Sequence, residues 1–186
     1  MSRISLISRI AQPLGLLLVI AATPAHPQTR DYPDPIERDF LAAHNLARVD
    51  AGAEPLVWND SLVRDAQGWA DHLAARGLYK HASPHRRKGQ GENLWRGPRD
   101  RWSAWEMVGF FVDEKRHFRA GQFPDVSRTG QWADVGHYTQ VIWPQTREVG
   151  CAIAVTSTDE VLVCRYWPAG NIWGQRIETS QQRSRR

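Results

Sequence analysis

Apolar positions recur at helical spacing three times in the chain. Ile36, Phe40, Ala43 and Ala47 make the first stripe, with Leu41 and His44 beside it. Asp34 is placed to cap this helix, Pro35 suits its first turn, Glu37 completes a capping box and Gly52 is a natural stop. A second stripe, Leu62, Ala66, Trp69, Ala70 and Leu73, starts near Asn59 or Asp60 and ends at Gly77. Arg64, Asp65, Asp71 and Arg76 fall off that stripe and are expected in water. The third helix opens on a capping box, Ser103 with Glu106, and Trp102 is placed to staple onto Met107. Its apolar face reads Met107, Phe110, Phe111 and Phe118, and Gly121 closes it. Glu114 falls on the same face. A carboxylate among aromatic rings is costly unless it is paired or liganded; the alternative is a stripe edge from which it reaches water.

The remaining segments lack a helical period. Residues 78–101 read as a long loop whose first half, from Lys80 to Gly89, is polar and basic. Residues 122–133 are irregular. The stretch Asp134 to Trp143 fits either state: Val141-Ile142 favours a strand, whereas His137/Val141 and Tyr138/Ile142 have helical spacing. Two apolar runs then flank a polar turn. With Ser157-Thr158 at its tip, Cys151 lies opposite Cys164, close enough for a disulfide; two buried thiols are the alternative. Gly170 to Gly174 is turn-rich.

Composition narrows the class. Hydrophobic residues are 41% and aromatics 10%, with nine tryptophans, which suits one domain with a core or groove of flat rings. The first 25 residues read as a secretory signal: Arg3 and Arg9, an apolar run from Leu14 to Ala22, and small residues around Thr23-Pro24-Ala25. That run is too short to span a membrane, and no transmembrane segment follows it. Cleavage would remove two arginines and no acid, lowering the formal charge from +4 to +2, part of it in the tail Arg183-Ser184-Arg185-Arg186. The body is near neutral and nothing in it asks for nucleic acid. The organisation expected is a signal peptide (1–25), a linker (26–34), one domain (35–177) and a disordered basic tail (178–186). Export to a periplasm or outside the cell puts the cysteines where they pair.

Four blocks carry a family resemblance: His44-Asn45-Leu46-Ala47-Arg48, Gly91-Glu92-Asn93-Leu94, Gly136-His137-Tyr138-Thr139-Gln140-Val141-Ile142-Trp143, and Val163-Cys164-Arg165-Tyr166-Trp167-Pro168-Ala169-Gly170-Asn171. Their order resembles that of the CAP superfamily, also called SCP, which contains cysteine-rich secretory proteins, antigen 5 and pathogenesis-related class 1 proteins. The resemblance implies an α+β fold, a three-layer α-β-α sandwich with a small, mostly antiparallel central sheet, and turns residues 134–143 into a short helix. It also implies a cleft holding His81, Glu92, Glu114 and His137. Several members bind zinc or another divalent cation there through the two histidines.

Neutral imidazoles and carboxylates are good ligands for such an ion. With His81 and His137 as ligands, Glu92 and Glu114 would orient the rings or take a proton from bound water. Thr139 and Gln140 are expected at the cleft, while His44 and Asn45 are expected to tie the first helix to backbone. Three functions follow. The favoured one is a secreted, monomeric binding module for a divalent cation and, as the family resemblance implies and the nine tryptophans suit, for a lipid or sterol. The second is a metal-dependent hydrolase with Glu92 or Glu114 as general base; no Gly-x-Ser-x-Gly elbow supports a serine mechanism. The third is an envelope or host-interaction protein with a structural cleft.

Overall fold

A computed structural model describes residues 34–177. The predicted signal peptide, all of the linker but Asp34, and the basic tail lie outside the described residues. The first helix, α1 (Pro35–Ala51), opens as its capping box requires, with the Asp34 backbone N–H donating to Glu37 Oε2 at 2.9 Å. It ends at Gly52, whose φ of 72° is the left-handed conformation glycine adopts freely. Its buried face is Phe40, Ala43, His44, Ala47, Arg48 and Ala51. Ile36 is 47% exposed, so the stripe begins one turn later than its spacing suggests.

The second helix, α2 (Asp60–Arg76), is capped by Asn59, whose side chain accepts from the N–H groups of Ser61 and Leu62, and it ends at Gly77. It buries the predicted stripe and no other residue. Asp65 is not simply solvated: Gln90 Nε2 donates to it at 2.6 Å and Lys88 lies 3.4 Å away.

Four strands make the main sheet: β1 (Val57–Trp58), β2 (Gly91–Pro98), β4 (Glu148–Val155) and β5 (Asp159–Trp167), in the order β1-β4-β5-β2. Only β1 runs parallel to its neighbour. A separate pair joins β3 (Gly121–Gln122) to β6 (Arg176–Ile177). The hairpin expected around the cysteines is present. Cys151 pairs with Cys164 in register, their Cα atoms are 4.1 Å apart, and the sulfurs are bonded.

The sheet separates two apolar layers. Leu94, Ala152, Ala154, Val161 and Val163 face α2 with its Ala66, Trp69, Ala70 and Leu73. Trp95, Val149, Cys151, Leu162, Cys164 and Tyr166 face the other layer, built from α1, α4 (Ala104–Val112) and α5 (Gly136–Val141). This alternation is the period of two that places successive side chains on opposite faces of a strand. Gly150 lets α2 sit directly on β4: a Cβ there would lie 2.5 Å from Val63 N and 2.8 Å from Leu62 C.

Two expectations fail locally. Residues 91–98, expected as loop, form the edge strand β2, and a single helical turn, α3 (Pro84–Arg87), precedes it. From Gly91 to Trp95 every residue is buried, including Glu92 and Asn93, so no apolar–polar alternation marks the strand. The third helix does form its Ser103–Glu106 capping box, but after Val112 the chain tightens into a 3-10 turn (Asp113–His117) and becomes extended at Phe118. Within α4 the buried face is Ala104, Met107, Val108 and Phe111, at regular helical spacing, so Phe110 falls beside it and is 41% exposed, while Phe118 is buried beyond the turn. Trp102 packs on Phe110, with ring centroids 5.0 Å apart, and on Trp95 at 6.2 Å.

Candidate functional site

The cleft opens beside the N-terminal end of β2, at the outer edge of the sheet. Adjacent residues there work on opposite faces. Glu92 shares the α2 face with Leu94, and Asn93 shares the other face with Trp95. Each face brings one histidine.

On the α2 side, His81 Nδ1 lies 2.7 Å from Glu92 Oε1. The same oxygen accepts the Ala82 N–H at 2.9 Å. Arg165 Nη2 stands 2.9 Å from Glu92 Oε2, an ion pair not aligned as a hydrogen bond. The Glu92 side chain is fully buried, whereas the His81 side chain is 55% exposed. The acid is thus anchored from behind and holds an imidazole that faces outward.

On the other side, His137 belongs to α5, which follows directly on a 3-10 turn (Trp132–Val135). Val135, at its N-cap position, offers no side-chain oxygen to the free N–H groups. Glu114 supplies it from the 3-10 turn after α4: Oε2 accepts from His137 N at 2.8 Å and from Tyr138 N at 3.0 Å. Its other oxygen lies 2.6 Å from His137 Nδ1. Phe111 stacks on the imidazole with centroids 5.2 Å apart. The carboxylate among rings, its side chain 19% exposed, is therefore paired by both oxygens.

The C-terminal end of α5 is held by Arg48, which is fully buried. Its Nη1 donates to the carbonyls of Val141 at 2.8 Å and Trp143 at 3.0 Å, and Nη2 donates to Thr146 O at 3.0 Å. Burial lowers its pKa to about 10, which leaves it a cation at neutral pH. An acid at the start and a cation at the end both suit the helix dipole. Sequence reasoning gave Arg48 no role; the signal that existed was an arginine on the apolar side of α1.

A polar chain crosses the core behind the cleft. Phe40 O meets His44 Nδ1 at 2.7 Å, and His44 Nε2 meets Tyr166 Oη at 2.8 Å. Asn93 Nδ2 donates to that oxygen and to His137 O, both at 3.1 Å. Burial pushes the His44 pKa down to about 4 and the Tyr166 pKa up. Asn45 ties α1 to Leu56 through both backbone groups, at 3.1 and 2.7 Å, as expected.

His81, Glu92, Asn93, His137 and Gln140 line one cavity of about 530 Å³. Phe123, Trp132 and Trp173 form an aromatic wall in it, and Arg87 and Asn171 add polar groups. Gln140 Oε1 accepts the Gly170 N–H at 2.9 Å, and Gly91 has no room for a Cβ beside that amide. Two expected cleft residues sit behind the lining. Thr139 is fully buried and donates to Asn171 Oδ1 at 2.7 Å, positioning a lining residue in its stead. Glu114 stands behind His137.

The donor set suits a divalent ion in one specific way. An ionised carboxylate only accepts, so each Nδ1 carries the proton, and in the neutral ring each Nε2 keeps its lone pair. Neither Nε2 has a hydrogen-bond partner among the described residues. The two histidines and an acid do not form a compact trio of ligand atoms; the one such trio among the described residues is His44, Cys151 and Cys164, within 4.8 Å of one another. Its sulfurs are tied in the disulfide and both His44 nitrogens are engaged, so it offers no thiolate and no free imidazole nitrogen in that state.

Known proteins share this architecture. The pathogenesis-related protein 1B of Nicotiana tabacum is 36% identical over 162 residues, covering 86% of this chain and 88% of that protein. Pathogenesis-related protein 1A of the same plant is 39% identical over 141 residues, covering 75% and 79%. The crystal structure of NaASP2 with Zn2+ superposes with a TM-score of 0.63 at 24% identity, over 80% of this chain and 90% of that one. The profile of the cysteine-rich secretory protein family, CAP, matches residues 41–166. With the cleft, the sandwich and the matched span in agreement, the chain belongs to the CAP family of cysteine-rich secretory proteins.

Proposed function

We propose that this protein is an exported binding module whose cleft holds a divalent cation, zinc foremost, through Nε2 of His81 and Nε2 of His137. The observation that carries this reading is the pair of carboxylate–imidazole contacts at 2.7 and 2.6 Å, which orient two rings lining one cavity. Bound there, the ion would supply Lewis acidity and open coordination positions for water or a ligand donor. NaASP2, a relative in fold, has been crystallised with Zn2+. The Trp132, Trp173 and Phe123 wall gives the cavity an apolar side that fits a lipid or sterol. The disulfide and the pathogenesis-related relatives favour an extracellular or periplasmic setting. No helix among the described residues is long and apolar enough to cross a membrane.

The hydrolase reading is weaker on chemical grounds. Glu92 has a fully buried side chain held by His81, Ala82 and Arg165, and Glu114 spends both oxygens on His137 and Tyr138. A general base needs an oxygen within reach of the water it deprotonates. Calorimetric titration of metal-stripped protein with zinc tests the proposal. One site is expected, lost in His81→Ala and in His137→Ala while circular dichroism stays native. Absence of heat in the unaltered protein, or heat unchanged in both variants, would reject it.

A further inference from the structure

We propose that the flank of α2, where it meets α3 and β5, carries a second binding site, for a phosphate or sulfate monoester. A cavity of about 480 Å³ lies there, lined by Arg64, Gly68, Trp69, Arg86, Lys88 and Arg165. It shares no lining residue with the histidine cleft. Four permanent cations and one acid, Asp65, line it; Asp65 is engaged by Gln90 at 2.6 Å and Lys88 at 3.4 Å, and Arg165 pairs with Glu92 at 2.9 Å, which leaves Arg64 and Arg86 with no acid partner among the described residues. The cavity therefore presents a positive excess in a concavity open to solvent, where charge-assisted hydrogen bonds to an oxyanion can form.

Two further observations point to an occupant. Arg165 is only 2% exposed, its Nε has no hydrogen-bond partner, and its Nη1 contact to Gln90 is long, at 3.3 Å. Its Nη2 already pairs with buried Glu92 at 2.9 Å, which offsets the charge, but the buried Nε donor stays unused, and an acceptor entering the cavity that Arg165 lines would satisfy it. The second is Gly68. It sits in the middle of α2, where glycine is a poor helix former. Its φ is not positive, and a Cβ there would meet nothing within 4 Å. Neither backbone strain nor packing calls for glycine at this position, whereas an open notch in the cavity wall does.

Trp69 and Arg86 supply the rest of the recognition. The Arg86 guanidinium stands 6.0 Å from the centre of the indole ring. The indole is 7% exposed and stacks on His72 with centroids 4.7 Å apart, so only its rim offers an apolar contact to a small carrier such as a sugar, with Arg64, Arg86 and Lys88 around the ester oxygens. A lipid headgroup phosphate offers the same chemistry on another carrier.

The test uses metal-stripped protein, so the outcome is independent of the histidine cleft. Glucose 6-phosphate and glucose 6-sulfate are titrated while tryptophan fluorescence and heat are followed, with glucose as the control. Sedimentation with phosphatidic acid vesicles, against phosphatidylcholine alone, covers the lipid source. Saturable binding of either soluble ester, or of the acidic vesicles alone, is expected, with glucose inert. Arg64→Ala with Arg86→Ala should weaken it about tenfold or more. Gly68→Leu should abolish it by filling the notch, with unchanged circular dichroism, and Gly68→Ala should raise the thermal midpoint, since no contact opposes the better helix former. The proposal is overturned if neither ester nor acidic vesicles bind. It is equally overturned if binding survives both Gly68→Leu and the double arginine variant.

Discussion

Glu114 holds His137 twice, once by the ring and once by the backbone. Oε1 lies 2.6 Å from the imidazole Nδ1, and Oε2 accepts the amide N–H of the same residue at 2.8 Å. A single carboxylate therefore fixes both where α5 starts and which way its histidine points. The two duties come apart by mutation. Glu114→Ala removes both and should lower stability by about 2 kcal/mol and zinc affinity by roughly 10–100-fold. Glu114→Gln keeps an oxygen for the helix N–H groups, but its amide NH2 then faces Nδ1 and drives the ring proton to Nε2. That variant should melt close to the unaltered protein yet bind zinc poorly. Equal zinc affinity in the two variants would show that the acid does not set the tautomer.

Arg48 is the counterpart at the other end of α5. Arg48→Met strands the carbonyls of Val141, Trp143 and Thr146 away from water, so stability should fall by roughly 3 kcal/mol or more in urea unfolding. Arg48→Lys should recover little of it, because a single ammonium cannot span the fork of acceptors that a guanidinium reaches.

His44 makes the fold acid-sensitive. Its folded pKa of about 4, depressed first by burial and further by the Arg48 charge, lies below the 6.5 of an exposed imidazole. The unfolded chain binds the proton more readily, so the stability this group contributes is fully present above about pH 6.5 and is lost as pH falls toward 4. The loss is of order 3 kcal/mol across that window. His44→Gln should flatten the pH dependence of the unfolding midpoint between those limits; an unchanged slope would assign it elsewhere.

Gly150 is a matter of space. Gly150→Ala puts a methyl 2.5 Å from Val63 N and 2.7 Å from Asn59 O, both backbone atoms that cannot rotate aside. Lifting the start of α2 off β4 should cost about 1–3 kcal/mol, measured as a lower thermal midpoint.

The disulfide closes a short loop, with 13 residues of separation between Cys151 and Cys164. The double change to alanine should cost roughly 2–3 kcal/mol of stability. Zinc affinity should hold, since the bridge faces the α1 layer and touches neither cleft histidine.

The parts that could be read from the sequence are those whose physics is local. The α2 stripe, the Asn59 and Ser103 caps, the Gly52 and Gly77 stops and the cysteine hairpin all follow from spacing within one segment. The four ordered blocks pointed to the family and to its fold. What stayed hidden depends on contacts between segments. The strand β2 is buried throughout from Gly91 to Trp95, so it carries no periodic trace. Phe110 and Phe111 are both apolar, and the stripe alone does not tell that α4 turns Ala104, Met107, Val108 and Phe111 inward and leaves Phe110 at the edge. Which acid serves which histidine was equally silent. Glu92 lies 11 residues after His81, and Glu114 lies 23 before His137, and neither spacing belongs to a local motif.

A sheet that stops at a deeply covered strand must shield that strand's unpaired rim from neighbouring molecules. Here Gly91, Glu92 and Asn93, at the border of the sheet, double as one flank of the recess between the two histidines. The hollow is in this sense a by-product of finishing the β-layer, and folding alone preserves it. New occupants can then be accommodated by editing exposed positions around the mouth, such as Trp132 and Trp173, while the foundations stay as they are.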